Sequence, residues 1–297
     1  MISKFKSFIK KRKKSIKTFL TAFLIIILVF TGYITYENFS VETEHFYRTS
    51  EELPESFNGY KIAHISDYHN RKSSIIDNAV FESLYEEKPD VIFLTGDLID
   101  SRKTDIPVSI AFVEKLVKIA PVYYVTGNHE CNVSIDDQKA FDNMISDIEA
   151  LGVTVLRNEG AKIYNKDGDS FNLYGIDNPF FYCSSMLEIT QTTNELCSEL
   201  EIEDGFNVLL AHHPEQMDVY TLYGFDLVFS GHAHGGQVRL FGQGLVAPNQ
   251  GLFPRYTSGL YANGETILVV SRGVGNSIAP VRVFNKPHLI ITELKPK

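Results

Sequence analysis

The chain has 297 residues, 44% hydrophobic and 22% charged, so it can form one large α/β domain, or two small ones, with a substantial core. Its charge is divided unevenly: residues 1–17 hold eight of the 28 Lys and Arg and no acid, whereas residues 38–297 hold 20 basic against 36 acidic residues, a formal charge of −16. We expect no nucleic-acid binding by a body this acidic, because proteins that bind the nucleic-acid backbone present basic surfaces.

The first predicted element is a single membrane-spanning helix. The residues from Thr18 to Tyr36 carry no charge, and as a helix they would span about 28 Å, close to the roughly 30 Å of a bilayer core. Positive flanks stay cytoplasmic, so we expect the basic N-terminus in the cytoplasm and the body outside the cell membrane. A cleaved signal peptide is the alternative, but the residues after Phe30 are too bulky for a cleavage site, which favours an uncleaved anchor.

The next part of the chain alternates between strands and helices. Residues 37–59 are predicted to form a stalk and a first strand, with a turn at Asn58-Gly59. Beyond them, apolar strands alternate with helices predicted at 73–88, 106–120 and 135–151. This alternation predicts mainly parallel pairing with right-handed crossovers.

After Gly152 the pattern changes to short strands with tight links, which predicts a second sheet. Its strands are expected at 153–156, 161–164, 171–176, 237–240, 266–271 and 289–294. Residues 178–205 interrupt them with an aromatic start and a helical acidic stretch. There, Phe180–Tyr182 favours core packing over an apolar lip for an acyl chain, and Glu195–Asp204 favours a solvated helix face over a metal site.

Five of the predicted strands end on residues of the types that bind metals. In open α/β sheets, sites lie beyond the carboxyl ends of the strands, so we expect these side chains to converge. Divalent ions take carboxylate, imidazole and amide-oxygen ligands. We therefore expect one metal centre formed by seven residues: Asp67, His69, Asp97, Asn128, His212, His232 and His234.

The same five tracts carry a family resemblance. In chain order they are Asp67-x-His69, Gly96-Asp97-x-x-Asp100, Gly127-Asn128-His129-Glu130, an isolated His212 and Gly231-His232-x-His234. Together they resemble the calcineurin-like metallophosphoesterase family over residues 60–297. Residues 235–237 and 271–277 are similar to a membrane-associated bacterial phosphodiesterase branch, some of whose members act on nucleotide-linked lipids. Glu130 stands where many relatives have Asp, and we expect this to matter little.

The resemblance implies an α/β fold in which two mixed β-sheets pack as a sandwich flanked by helices, preceded here by one transmembrane helix. It also implies that the first metal is held by Asp67, His69 and His234, the second by Asn128, His212 and His232, with Asp97 bridging the two. His129 resembles the family's non-ligand histidine, which donates a proton to the leaving oxygen or stabilises the phosphoryl charge. Asp100 resembles the carboxylate that orients it, and a histidine held by an acid suits general-acid catalysis near neutral pH.

Several residues near these tracts have alternative interpretations. His64 lies in a predicted strand on the opposite face from Asp67, which favours a core histidine. His213 matches no motif position, and a structural role outweighs substrate contact. Arg255 and Arg272 suit either substrate phosphate or ordinary surface charge.

The three cysteines and two remaining histidines point to structure rather than chemistry. Cys131 favours a small, partly buried residue over a catalytic one. Cys183 and Cys197 are close enough in sequence to form a disulfide in an oxidising compartment, and the sequence leaves this open. His45 and His288 are expected to be structural or exposed.

The sequence thus predicts a metal-dependent phosphoesterase that hydrolyses a phosphodiester or pyrophosphate bond through a dinuclear metal site and a bridging hydroxide, because bound metals lower the pKa of water. The mixed ligand set suits Mn, Zn, Fe or Co. The anchor favours a lipid-linked or cell-envelope substrate. Two alternatives remain, a hydrolase of soluble nucleotides or phosphomonoesters and a catalytically inactive metal-binding scaffold. The predicted organisation is a basic tail (1–17), an anchor (18–36), a stalk and first strand (37–59) and a metallophosphoesterase domain (60–297).

Overall fold

The computed structural model describes residues 2–276 and 281–297, so Ser277 of the predicted tract 271–277 lies outside the described residues. The helices are α1 (Ile2–Asn38), α2 (Ser74–Glu87), α3 (Ile106–Leu116), α4 (Asn128–Asp136), α5 (Gln138–Ala150), α6 (Ile189–Ser198) and α7 (Met217–Leu222). The strands are β1 (Glu42–Ser50), β2 (Lys61–Ile65), β3 (Val91–Thr95), β4 (Val122–Val125), β5 (Thr154–Val155), β6 (Glu159–Tyr164), β7 (Ser170–Gly175), β8 (Asn207–Leu210), β9 (Leu227–Ser230), β10 (Arg239–Leu240), β11 (Gln243–Gly244), β12 (Val246–Ala247), β13 (Gly251–Leu252), β14 (Gly259–Asn263), β15 (Thr266–Val270) and β16 (His288–Pro296).

Most of the strands form two mixed six-stranded sheets. The first sheet has the order β1-β16-β2-β3-β4-β5, in which β2 to β5 run parallel and β16 is antiparallel to β2. The second has the order β14-β15-β9-β8-β7-β6, parallel in its centre and antiparallel at both edges. The remaining short strands pair as the hairpins β10–β11 and β12–β13.

The two sheets pack face to face because both faces of their central strands are apolar. The layer between them contains Ile62 and Phe93 from the first sheet and Val208 and Phe229 from the second, all fully buried. Helices α2, α3 and α5 cover the outer face of the first sheet, and α6 and α7 cover that of the second. The predicted sandwich of mixed sheets flanked by helices is confirmed.

Several strands differ from their predicted placement in the second sheet. β5 pairs with β4, and β16 lies between β1 and β2, so both belong to the first sheet. β10, from the predicted strand 237–240, pairs with β11 in a hairpin and belongs to neither six-stranded sheet. These predictions were wrong because short apolar runs identify strands but do not specify which strand each one pairs with.

Two predicted helical segments also differ. The helix expected at 135–151 is divided into α4 and α5 at Asp137, whose side chain accepts a hydrogen bond from the Ala140 N–H at 3.0 Å and caps α5. The acidic stretch Glu195–Asp204 is helical only as far as Ser198.

The N-terminal helix leads directly into the sandwich. α1 ends at Asn38, and β1 begins at Glu42 and pairs with β16 along its whole length. The first sheet therefore includes β1, which lies upstream of the predicted domain boundary at residue 60. Within the described residues, one helical segment, Lys10–Asn38, is long enough to cross a membrane and contains a sufficiently apolar stretch to do so.

Candidate metal centre

The carboxyl ends of β2, β3 and β4 from the first sheet meet those of β8 and β9 from the second at one edge of the sandwich. His212, which follows β8, donates a hydrogen bond through Nδ1 to the Thr95 carbonyl at the end of β3, at 2.6 Å. This bond crosses from one sheet to the other. The edge holds all seven predicted ligands, of which Asn128 is half-buried and the other six are buried.

The backbone at this edge is strained where the predicted ligands lie. Five of the seven have φ in the left-handed region, which non-glycine residues rarely adopt: Asp67 (52°), His69 (51°), Asp97 (52°), His232 (63°) and His234 (47°). Such strain persists only where the surrounding structure imposes it, and it concentrates at functional sites. The sharp turns direct the side chains across the strand ends.

Two motif glycines are required by close packing at this edge. A Cβ atom on Gly127 would collide with the Asp97 carboxylate, and one on Gly231 would collide with Ser66 and with the Asp67 carboxylate. Only glycine lets these loops pass so near the acids. This explains why glycine precedes Asn128 and His232 in their tracts.

The first ligand cluster contains Asp67, His69, Asp97 and His234, whose ligand atoms lie within 4.8 Å of one another. The Nε2 atoms of His69 and His234 face each other at 3.1 Å. The Nε2 of His234 lies 3.3 Å from Asp67 Oδ1, and that of His69 lies 3.7 Å from Asp97 Oδ2. Two carboxylates and two inward-facing imidazoles form a ligand set that fits a divalent cation.

The second cluster contains Asp97, His212 and His232. The Nε2 of His212 lies 3.2 Å from Asp97 Oδ2 and 3.2 Å from the Nδ1 of His232. Asn128 begins α4 at the end of β4, and its Oδ1 is buried without a hydrogen-bond partner. Because buried amide oxygens are normally paired, this orphaned acceptor fits a metal ligand. Asp97 belongs to both clusters.

The electrostatics of the edge also suit cations. Burial lowers the pKa of His69 to about 3 and holds the pKa values of His232 and His234 well below their usual range, so these imidazoles keep their lone pairs at neutral pH. Burial opposes a charge on His212, but the Asp97 carboxylate outweighs it and raises the pKa of His212 to about 10. The buried carboxylates thus stabilise a positive charge on His212, and they would stabilise a bound divalent ion in the same way.

His129 lies beside the clusters without joining them. The Ser101 N–H donates to its Nδ1 at 2.9 Å, so the proton of the neutral ring lies on Nε2, which is 4.0 Å from Asp97 Oδ2. The Asp100 carboxylate is 3.6 Å from Nδ1, beyond hydrogen-bond distance, and bonds Arg102 instead at 2.8 Å. The Arg102 hydrogen bonds hold the pKa of Asp100 below its usual range despite burial.

Glu130 supports the backbone of two loops at this edge, a role that the sequence analysis did not predict. Its fully buried carboxylate accepts hydrogen bonds from the N–H groups of Asp97 at 2.8 Å, Gly127 at 2.7 Å and Ile99 at 3.1 Å. It therefore joins the loop after β3 to the loop after β4. Its place in the Gly-Asn-His-Glu tract was the available signal.

A third group of polar side chains supports the outer nitrogen of His232. Asn249 contacts the Nε2 of His232 at 3.2 Å and donates to Glu215 at 2.8 Å. Glu215 in turn holds His213 at 2.8 Å, and Asn178 contacts the other nitrogen of His213 at 2.8 Å. His213 is thus buried in a hydrogen-bond network beside a predicted ligand. No motif identifies Asn249 or Glu215: Glu215 follows the predicted ligand His212 by three residues, and Asn249 comes close to the site only in the folded chain.

The structure places other candidate residues away from the ligand clusters. His64 is fully buried and contacts Thr95 Oγ1 at 2.8 Å, so its prediction as a core histidine is confirmed. Arg272 is buried and pairs with Glu42 at 3.1 Å. Arg255 is exposed and lies over the Tyr256 ring at 5.0 Å.

The remaining candidates have structural surroundings. Phe181 packs on the core between the first sheet and its helices, as predicted, while Tyr182 is exposed and donates to Asp177 at 3.1 Å. The cysteines are free thiols: Cys131 and Cys197 are buried and Cys183 is half-buried.

Comparison with known proteins places this site in a family. The family model for calcineurin-like phosphoesterases matches residues 60–236. The chain is 30% identical over 272 residues to the uncharacterized metallophosphoesterase YkuE of Bacillus subtilis, covering 89% of each chain. It is 29% identical to the phosphodiesterase YaeI of Escherichia coli, covering 79% of this chain and 82% of that one. It is 28% identical to a transmembrane protein with metallophosphoesterase domain from Danio rerio, covering 82% of this chain and 55% of that one.

Proposed function

This chain belongs to the calcineurin-like phosphoesterase family, and we propose that it hydrolyses a phosphodiester or pyrophosphate bond at the five strand ends. Members of the family use two divalent metal ions, and the chain is a hydrolase of phosphoric esters. The observation that carries the proposal is that two buried clusters of ligand side chains share one carboxylate, Asp97.

The proposed ligand sets follow these clusters. Asp67, His69 and His234 would hold one ion, Asn128, His212 and His232 would hold the other, and Asp97 would serve both. When bound, such ions lower the pKa of water and neutralise charge on a phosphoryl group. The ligand types suit Mn, Zn, Fe or Co.

His129 is the proposed proton donor to the substrate. Because the Ser101 N–H occupies Nδ1, the Nε2–H is available on the side of Asp97, where it can donate to a phosphoryl or leaving oxygen. Asp100 is proposed to support His129 through its negative charge at 3.6 Å and by holding the loop through Arg102. Burial of this ring limits the access of bulk water.

We also propose that the substrate is lipid-linked or part of the cell envelope. Only three residues separate α1 from β1, so an anchored α1 keeps the body at the membrane face. The basic residues 1–17 support a cytoplasmic N-terminus and a body on the outer side. The name of the relative YaeI supports a diester rather than a monoester as substrate.

Two chromogenic substrates test this function. The purified full-length protein is assayed on bis(p-nitrophenyl) phosphate and on p-nitrophenyl phosphate, with Mn²⁺, Zn²⁺, Fe²⁺ or Co²⁺ and after chelation. We expect faster cleavage of the diester and loss of activity on chelation. Faster cleavage of the monoester would favour the alternative hydrolase of phosphomonoesters or soluble nucleotides. No cleavage of either ester with any of these metals would favour an inactive scaffold.

A further inference from the structure

An exposed apolar surface lies beside the metal centre. It is formed by segment 237–253, which contains the two short hairpins, and by loop 281–286. Its large apolar side chains are exposed by 43% to 109%: Leu240, Phe241, Val246, Leu252, Phe253, Val281 and Phe284. A concentration of exposed apolar side chains of this kind marks an interaction site.

The two parts of this apolar surface are joined to each other and to the metal centre. The Arg239 N–H donates to the Val283 carbonyl at 2.9 Å, and Val238 forms a bridge with Val283. The Asn285 side chain donates to the carbonyl of His234, a proposed ligand, at 2.8 Å. The apolar surface is therefore attached to the loop that carries His234.

The apolar surface is also continuous with the membrane helix. The Phe284 ring lies 5.6 Å from that of Tyr33 and 6.4 Å from that of Phe30. Phe30 precedes the end of the uncharged run at Tyr36 by six residues, about 9 Å along the helix axis. If α1 crosses a bilayer, the loop that contacts Phe30 lies at the depth of the apolar layer or its boundary.

The junction between α1 and this loop is fixed by hydrogen bonds. The Asn38 side chain donates to the Arg282 carbonyl at 2.7 Å and accepts from the Arg282 N–H at 2.8 Å. Arg71 donates to the carbonyls of Asn38 at 2.8 Å and Val274 at 2.7 Å. The end of the membrane helix is thus attached to the body at several points, and the apolar surface has a fixed position relative to it.

The three phenylalanines of the apolar surface adopt an unfavourable backbone conformation. Phe241, Phe253 and Phe284 have φ of 52°, 53° and 53°, a region that bulky residues rarely occupy. Phe241 and Phe253 are 109% and 70% exposed, so packing within the chain does not offset the strain. Contact with an apolar environment outside the chain would offset it.

The charge around the apolar surface suits an anionic membrane. Segment 237–253 and loop 281–286 contain no acid and three basic residues, Arg239, Arg282 and Lys286, of which Arg282 is fully buried, in contrast to the acidic body as a whole. Arg255 is exposed next to segment 237–253, and the Lys286 ammonium lies over the Tyr36 ring at 5.2 Å. Basic residues beside a membrane helix are attracted to anionic headgroups.

We propose that the apolar surface inserts into the leaflet on the body's side of the bilayer, which surrounds the C-terminal end of α1. Bilayer lipid would then cover the exposed apolar side chains. The metal centre is then held beside the lipid headgroups, where an amphiphilic phosphate ester can reach it without leaving the leaflet. Insertion fixes the position of the body relative to the bilayer and does not depend on whether the enzyme prefers diesters.

Tryptophan fluorescence tests this insertion because the chain contains no tryptophan. Phe241→Trp and Phe253→Trp each introduce a single reporter at an exposed position. Tyr164→Trp is the matched control, since Tyr164 is 64% exposed and ends β6 at the far edge of the second sheet. The full-length variants are reconstituted in phosphatidylcholine–phosphatidylglycerol vesicles with or without brominated acyl chains.

In brominated vesicles we expect Phe241→Trp and Phe253→Trp to lose about half or more of their emission, because insertion places the ring at the boundary of headgroups and acyl chains. Tyr164→Trp should be unchanged. Equal quenching of all three variants would overturn the proposal. So would reporters that are shielded from aqueous iodide yet unaffected by brominated lipid, a result that indicates cover by a second protein copy. Neither measurement needs metal or substrate, so failure here is distinct from failure of the proposed hydrolase function.

Discussion

The edge of the sandwich that holds the proposed metal ligands, here called the metal edge, and the apolar surface beside it both have strained backbone. They differ in the side chains that the strained residues carry. Of the 13 non-glycine residues with positive φ in the described chain, six lie at the metal edge and five lie in 237–253 and 281–286. At the metal edge the strained residues are buried Asp, His and Asn, whereas on the apolar surface they include three exposed Phe. Strained backbone concentrates at functional sites. Where the strained residues are buried Asp and His, we infer a cation site; where they are exposed Phe, we infer contact with an apolar phase.

The largest effect should come from removing the carboxylate that the two clusters share. Asp97→Ala is expected to lose bound metal and to reduce turnover by about a thousandfold or more, because both ligand sets lose a charged member. Elemental analysis and ester hydrolysis measure these effects. Asp142→Ala, an exposed position on α5, is the control and should match the wild type. Full metal content in Asp97→Ala would contradict the shared role.

Replacing His129 should separate catalysis from metal binding. His129→Ala is expected to retain its metal but to lose about 10² to 10⁴ in kcat, because the donor to the substrate oxygen is removed. Metal content and kcat are measured on the same preparation. If the variant instead loses its metal, His129 is a ligand and its assigned role is wrong.

Glu130 should affect the metal edge through the backbone. Glu130→Ala leaves the N–H groups of Asp97, Gly127 and Ile99 without their buried acceptor. We expect about 3 kcal/mol less stability and about 10- to 100-fold weaker metal binding. Thermal unfolding and metal titration measure the two effects. Unchanged melting would mean that the loops do not depend on this carboxylate.

Metal affinity should increase with pH. The pKa of His212 in the metal-free protein is raised to about 10 and that of Asp67 to about 6, so each group holds a proton below its value that an ion must displace. We expect Mn²⁺ affinity to rise by about tenfold per pH unit between pH 6 and 8, where His212 releases a proton, and more steeply below pH 6, where Asp67 also releases one. Titration calorimetry in buffers of different ionisation enthalpy counts the protons. An affinity independent of pH would show that neither group must deprotonate.

The smallest effect is expected on the apolar surface, and only with membrane substrates. Phe241→Asp should reduce hydrolysis of a vesicle-borne phosphodiester by about tenfold and leave the chromogenic diester unaffected, because the carboxylate opposes insertion but lies outside the metal clusters. Leu187→Asp, at a position that is 94% exposed in the loop before α6, is the control and should leave both rates unchanged. If Phe241→Asp instead reduces the hydrolysis of both substrates equally, the apolar surface affects the metal centre itself and does not act only through the membrane.

The convergence of the seven proposed ligand residues was predictable because each follows an apolar strand, and strands of this kind end at a common edge. Glu130 lies in the Gly-Asn-His-Glu tract, but its hydrogen bonds to the loop after β3 were not predictable, and neither were the hydrogen bond from Ser101 to His129 and the contact of Asn249 with His232. These contacts use backbone N–H groups or join distant segments, and neither leaves a pattern in the sequence. The pairing of β1 with β16, which joins the two ends of the body, was hidden for the same reason. The apolar surface lacks periodicity because it is built from turns.

Electron paramagnetic resonance of the Mn²⁺-loaded protein tests directly whether two ions share Asp97. Two Mn²⁺ ions that share a carboxylate should give an exchange-coupled spectrum at two equivalents per chain. That spectrum should be absent from Asp97→Ala. A spectrum of isolated Mn²⁺ at every loading of the wild-type protein would show that Asp97 does not join two ions.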